Sequence, residues 1–123
     1  MRIISGKFKG RKILRPLDSN TRPLKDMTKE SIFNLIYHSK YFNLVLKNSS
    51  VLDIFSGSGS FGLECLSRDA KEAIFIEIYK PALEILRKNI SSLKMDKKSQ
   101  IIENDAFEKK NYKNLIKKFD IIF

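Results

Sequence analysis

Residues 51–62 read Val51-Leu52-Asp53-Ile54-Phe55-Ser56-Gly57-Ser58-Gly59-Ser60-Phe61-Gly62, and this stretch restricts the fold more than any other. The short, mostly apolar run 51–55 suits a strand covered on both faces. Gly57 and Gly59 fall where the backbone must turn sharply and let a ligand approach with no Cβ in the way. Gly62 comes three residues later and lets the following helix pack close to the sheet. A bare G-x-G-x-x-G spacing is a weak signal. Directly after a strand and before a helical pattern, it marks a nucleotide-cofactor turn.

Asp53 decides which cofactor. A pyrophosphate needs the glycine turn and the helix N-terminus to be electropositive, since two phosphates must rest there. A carboxylate at the strand's end, four residues before Gly57, works against that. It suits a ligand carrying an ammonium and a sulfonium, which describes S-adenosylmethionine. The structural alternative is a glycine turn with an incidental Asp. A nicotinamide-dependent oxidoreductase fits poorly, because Asp53 would face its pyrophosphate.

A chain of 123 residues suits one domain with a real core, yet is short for a complete doubly wound fold. No apolar run approaches the ~20 residues of a membrane span, and the Met1-Arg2-Ile3-Ile4-Ser5-Gly6-Lys7 start has no apolar signal region. The expectation is a soluble, cytoplasmic protein. The single cysteine, Cys65, sits in an apolar helical pattern and reads as a buried free thiol of a reducing compartment. The lone His38 reads as a surface or helix-end residue, and there is no Cys/His cluster with metal spacing.

The formal charge of +10 is unevenly spread. Residues 1–30 hold nine Lys/Arg against three Asp/Glu, residues 31–79 four against five, and residues 80–123 eleven against six. A near-neutral, cofactor-like centre is thus flanked by basic segments, which points to a polyanionic partner, most simply nucleic acid. Lysine enrichment alone is the competing explanation for the last third, since 18 of the 24 basic residues are Lys.

Residues 1–15 read as a hairpin. Ile3-Ile4 and Ile13-Leu14 are its apolar parts, and Gly6 and Gly10 bracket a turn around Phe8. Lys7, Lys9, Arg11, Lys12 and Arg15 crowd onto it, cations for phosphates beside an aromatic for stacking. A solvated edge protected by lysines is the structural alternative. After a polar linker (16–20), Thr21-Arg22-Pro23-Leu24-Lys25-Asp26 opens a helix to about residue 41, with Ile32, Phe33 and Ile36 on its buried side.

Beyond the glycine turn the reading alternates. It gives a helix over 61–68, a strand over 73–77 ending on Glu77, and a helix over 81–93 with Leu83, Leu86, Ile90 and Leu93 inward. A strand over 100–104, a basic helix over 108–118 and the opening of a strand at 119–123 follow. Such alternation gives an α/β fold with a parallel sheet and right-handed crossovers. Glu77, twenty residues after Gly57, can accept both ribose hydroxyls of a nucleoside, in dinucleotide and adenosylmethionine sites alike. Asp105, at the tip of the third strand, can accept an adenine amine or serve as a helix N-cap.

Several segments together resemble the bacterial RsmD family. They are residues 2–12, Thr21-Arg22-Pro23, Glu30-Ser31-Ile32-Phe33-Asn34 and the Asp53-to-Gly62 motif. The resemblance covers the whole chain. It implies an S-adenosylmethionine-dependent methyltransferase acting on the exocyclic N2 of a guanine in small-subunit ribosomal RNA, free or in an assembling particle, without membrane or metal. By it, Asp53, Gly57 and Gly59 line the methionine part of the cofactor, with Ser56 also a cofactor contact. Glu77 holds the ribose and Asp105 the adenine. Lys7, Lys9, Arg11, Lys12 and Arg22 meet RNA or shape the substrate side.

The implied fold is a truncated Rossmann-like (class I) sheet ordered 3-2-1-4, preceded by an N-terminal hairpin and helix. Residues 1–50 form an RNA-facing extension, and residues 51–123 the first half of the methyltransferase domain. The family's Asp-Pro-Pro-Tyr/Phe motif is expected beyond Phe123, so no catalytic residue is assigned. The expectations are a monomer when completed, but a catalytically silent and association-prone chain as it stands, with an unpaired fourth strand. A non-catalytic RNA-binding module is the alternative.

Overall fold

The computed structural model describes residues 1–18, 24–40, 45–113, 115 and 118–123. Helix and strand alternate through α1 (Asp26–His38), β1 (Ser50–Ile54), α2 (Ser60–Ser67), β2 (Glu72–Glu77), α3 (Lys80–Ser92), β3 (Ser99–Glu103), α4 (Lys110–Lys113) and β4 (Ile121–Ile122). The strands form one parallel sheet ordered β3-β2-β1-β4, as the family resemblance implies.

Strand alternation gives the sheet two apolar faces. Val51, Ala73 and Phe75 point to one side, where Leu63, Leu66, Leu86 and Ile90 of α2 and α3 complete the larger core. Leu52, Ile74 and Ile76 point to the other, against Ala106, Leu115 and Phe119. Right-handed crossovers explain the split. The β1–α2–β2 and β2–α3–β3 units step the same way across the sheet, and the β3-to-β4 connection steps back past both. The reversal between β1 and β4 is a topological switch point, where open α/β sheets leave a crevice at the strands' carboxyl ends.

The hairpin expected over 1–15 is smaller than two full strands. One antiparallel bridge pairs Arg2 with Lys12, extended by Ile3 N–H to Arg11 O (2.9 Å) and Ile13 N–H to Met1 O (3.0 Å). Gly6 and Gly10 turn it, both at positive φ. Ile3 and Ile13 are buried in the same core as Phe33, Val51 and Leu66, so the N-terminal segment shares the interior of the sheet domain. Helix α1 begins at Asp26, and the expected opening at 21–23 lies outside the described residues. Of its expected inward side Phe33 is buried, while Ile32 and Ile36 are half-buried. The basic helix expected over 108–118 is a single turn within the described residues, because Asn104 and Asn111 bond each other and hold a compact loop after β3. Cys65 is fully buried and His38 ends α1 exposed, both as expected.

An unexpected buried ion cluster ties these parts together. Lys29 of α1 and Glu64 of α2 are both fully buried, with Nζ 3.3 Å from Oε2. Glu64 also accepts the backbone N–H groups of Ile4 (2.8 Å) and Ser5 (2.9 Å) and the Arg68 guanidinium (2.9 Å). Lys29 also donates to Arg2 O (2.6 Å) and Ser60 Oγ (3.3 Å). Arg68 then lies 4.1 Å over the Phe33 ring, which begins a stack through Phe61 to Phe123. Helix α1, the hairpin, α2 and the last strand are thus held in one arrangement.

Candidate cofactor site

The crevice at the switch point is real. A cavity of about 380 Å³ opens between the ends of β1 and β4, walled by Asp53, the turn residues Phe55 to Ser58, and Phe123, with Leu24, Lys25 and Thr28 closing the α1 side. That volume is within the usual range for small-molecule sites. The turn needs left-handed backbone at three alternate positions, Phe55 (φ 60°), Gly57 (54°) and Gly59 (80°). Phe55 carries a Cβ there, so the bend stores some strain, and its exposed ring leans on Phe107 with centroids 5.6 Å apart.

Gly62 is needed for a different reason. A Cβ on it would lie 2.4 Å from Phe75 Cε1 and 2.8 Å from Cζ, inside the sheet–helix contact. Gly62→Ala is expected to destabilise the fold by about 1–3 kcal/mol through overpacking, read as a lower urea midpoint with an unchanged slope. A midpoint within experimental error of the parent would contradict the close packing.

The N–H groups of Ser56, Gly57, Gly59 and Gly62 are engaged by the protein's own acceptors. Asp53 Oδ2 accepts from Gly62 N–H at 3.0 Å. Glu77 Oε2 accepts from Gly57 N–H at 2.7 Å, and its Oε1 takes Ile78 and Tyr79 N–H at 2.8 and 2.9 Å, at the start of α3. Gly59 N–H closes onto Ser56 O (2.8 Å). Asp53 is 2% exposed. Burial pushes its carboxyl up to about 7, the Gly62 N–H pulls it back, and the Glu77 charge adds to the rise. Two carboxylates beneath one bend repel an anion and favour a cation.

The structure brings Asp53, Ser56 and Gly57 together on the cavity wall. Gly59 is buried behind them as the residue before α2. Glu77 joins from β2 through Gly57. Asp105 stands at the end of the neighbouring strand, half-buried, and its Oδ1 accepts Phe107 N–H (3.0 Å), so it folds the loop it belongs to. The basic residues are elsewhere. Lys7 pairs with Asp69 just past α2 (2.6 Å), Arg11 donates to Ser92 O at the end of α3 (3.1 Å), and Lys12 stands beside Arg2. Lys9 is exposed near the hairpin tip, and Arg22 lies outside the described residues.

Two contributors were missed in sequence. Buried Asn89 donates to Ser58 O (2.9 Å) and Leu14 O (3.0 Å), clamping the turn to the hairpin's second arm. Its signal is a polar residue beside the inward stripe of Leu86, Ile90 and Leu93. Lys29 stands four residues before Phe33 and seven before Ile36, on the buried side of α1.

Comparison with known proteins fits this geometry. The profile of the family described as conserved hypothetical protein 95 matches residues 1–123. The ribosomal RNA small subunit methyltransferase D of Haemophilus influenzae is 33% identical over 100% of this chain and 61% of its own length. The protein of that name from Buchnera aphidicola (subsp. Acyrthosiphon pisum) is 40% identical over 98% and 59%. The solved structure of Escherichia coli yhhF, provisionally described as a methyltransferase, superimposes with a TM-score of 0.71 at 34% identity, covering 86% of this chain and 53% of that one. The chain thus spans about three-fifths of the length of these two curated relatives.

Proposed function

The chain belongs to the conserved hypothetical protein 95 family, the RsmD family, and from that premise we propose that the protein methylates small-subunit ribosomal RNA from S-adenosylmethionine, at the exocyclic N2 of a guanine. The observation that carries the reading is the pair of carboxylates, Asp53 and Glu77, bonded to the N–H groups of Gly62 and Gly57. In a dinucleotide site those groups would face phosphate. Here they hold negative charge in place for a positively charged ligand.

The residues fit the cofactor. Asp53 would hold the ammonium-bearing end, with Ser56 and the Gly57 backbone beside it, Glu77 the ribose and Asp105 the adenine, while Gly59 shapes the turn from its core side. S-adenosylmethionine supplies, when bound, a methyl group on a sulfonium, a transfer that depends on positioning more than on acid–base power. This chain's contribution is to fix the donor. Asp53 neutralises its charge, the turn excludes a Cβ from the approach, and Phe61 and Phe123 give the cavity a stacked aromatic wall (centroids 3.9 Å apart). A ribosomal substrate places this work in the cytoplasm.

The test is transfer of a labelled methyl from S-adenosylmethionine to small-subunit ribosomal RNA by a chain of the relatives' full length, with the RNA then digested to nucleosides. N2-methylguanosine is the expected product. Label on adenine N6 would reassign the acceptor, and absence of label from RNA would contradict the reading.

A further inference from the structure

The sheet is electrically polarised along its strands. At the carboxyl ends stand Asp53, Glu77, Glu103 and Asp105, of which Asp53 lines the cavity and Glu103 pairs with Arg87 (2.7 Å). At the other end every strand is entered through lysine. Lys47 precedes β1, Lys71 directly precedes β2, Lys98 directly precedes β3, and Lys118 precedes β4. The strands are parallel and in near register, with Ser50 opposite Glu72, Ala73 opposite Ser99 and Val51 opposite Ile121, so these entrances share one pole. All four lysines are exposed, as are Lys94 and Lys97 in the turn feeding β3.

The hairpin reaches the same pole. Lys7 N–H donates to Ser67 O (2.8 Å) at the end of α2, and its ammonium pairs with Asp69. The Asp69 carboxyl is held below its usual range, first by the Lys7 hydrogen bond, against slight desolvation, and then by the charges of Lys7, Lys47 and Lys98. Residues far apart in sequence therefore converge on one acid. The pole's other acids are engaged locally, Glu72 by the Ser50 hydroxyl, Asp96 by the Ser91 hydroxyl and Asp120 by Ser50 N–H.

We propose that this lysine pole is a docking surface for the phosphate backbone of RNA, separate from the cofactor mouth and about 17 Å from it along the strands at ~3.3 Å per residue. The choice of RNA among polyanions rests on the proposed ribosomal substrate. The charge pattern explains why a second surface is needed. The carboxylates beneath the turn favour a cationic cofactor over phosphate, so the more distant stretches of an RNA backbone are better held at a separate, basic surface. The hairpin, running from Arg2 and Lys12 beside α1 to Lys7 at the pole, joins the two ends.

The experiment titrates a fluorescent stem-loop RNA into the 123-residue chain between about 50 and 200 mM salt, the range over which counterion release is readily seen. The pole variant carries Lys47→Glu, Lys71→Glu and Lys98→Glu. A control of equal net charge carries Lys80→Glu, Lys88→Glu and Lys110→Glu, and circular dichroism melts establish that each is folded. The pole variant is expected to lose RNA affinity at least tenfold, with the log–log salt slope smaller by about 2. The control should lose much less, and S-adenosylhomocysteine affinity should stay within twofold in both. The neutral set Lys47→Gln, Lys71→Gln and Lys98→Gln should move the same way by a smaller factor.

Equal losses in pole and control variants would overturn the proposal, as would an unchanged slope. So would lysine-dependent binding to anionic phosphatidylserine vesicles with RNA binding unaffected. Lysine-dependent RNA binding without S-adenosylhomocysteine binding would instead remove the methyltransferase reading and leave the pole standing.

Discussion

Asp53→Asn is expected to stabilise the folded chain above pH 7 and, in the same variant, to weaken S-adenosylmethionine binding by about thirtyfold or more. In the folded state burial raises the Asp53 carboxyl to about 7, against 3.8 when unfolded. Between those values the native state binds more protons than the unfolded state. Stability from this group is therefore full below about pH 4, falls as the pH rises toward 7, and stays low above it. The whole effect is on the order of 4 kcal/mol. An amide keeps the acceptor for Gly62 N–H but adds N–H groups needing partners, which costs about 1–3 kcal/mol. A net gain of about 1–3 kcal/mol at pH 8, and none at pH 4, is the expected outcome of urea titrations. Losing the charge opposite a buried ligand ammonium should weaken binding by about 2–5 kcal/mol, thirtyfold or more. A variant less stable than the parent at pH 8 would show that Asp53 is ionised without strain in the free protein.

The second large effect is expected at the buried cluster, and its two ends should differ. Glu64 has about four acceptor positions, and four donors fill them, Ile4 N–H, Ser5 N–H, Arg68 and Lys29. Glu64→Ala leaves a fully buried ammonium without a carboxylate and strands two backbone N–H groups. A loss of about 3–5 kcal/mol is expected, enough to unfold a marginal domain. Lys29→Met removes one cation, while Arg68 still neutralises Glu64, so its cost should be smaller. It should also release the Arg2 carbonyl and Ser60 hydroxyl that Lys29 bonds. Hydrogen exchange at Ile4 and Ser5 separates the cases, fast in folded Glu64→Ala and still protected in Lys29→Met. Equal midpoints for both variants and the parent would contradict the cluster's role.

The strands and helices from residue 51 through β3 were legible because apolar periodicity and the glycine turn agree there. The helix expected over 108–118, by contrast, gives way to the single turn of α4 and a loop closed by Asn104 and Asn111. Leu83, Leu86, Ile90 and Leu93 are inward as their spacing requires, and Asp53 lies under the turn where its distance from Gly57 places it. The N-terminal third was less legible. A single bridge closes its hairpin, and its attachment depends on polar partners distant in sequence, Glu64 for Ile4 and Ser5, Ser67 for Phe8, and Asn89 for Leu14. Periodicity records burial of apolar groups and is silent on which buried charge meets which. The spacing of Lys29 from Phe33 and Ile36 puts it on the inward side of α1, but its partner Glu64 is identified only once the two helices are packed. Glu77 shows the same limit within the site. Its place at the strand end was readable, but its bonds to three backbone N–H groups come from the turn and α3 closing around it.

Calorimetric titration of the chain with S-adenosylmethionine and, in parallel, with a nicotinamide dinucleotide puts the choice of cofactor to the test. The expected result is one-to-one binding of S-adenosylmethionine at pH 8, weakening about tenfold per pH unit below 7 as Asp53 takes up its proton, and no binding of the dinucleotide. Dinucleotide binding that survives in the parent chain, with S-adenosylmethionine binding absent or indifferent to Asp53→Asn, would contradict it.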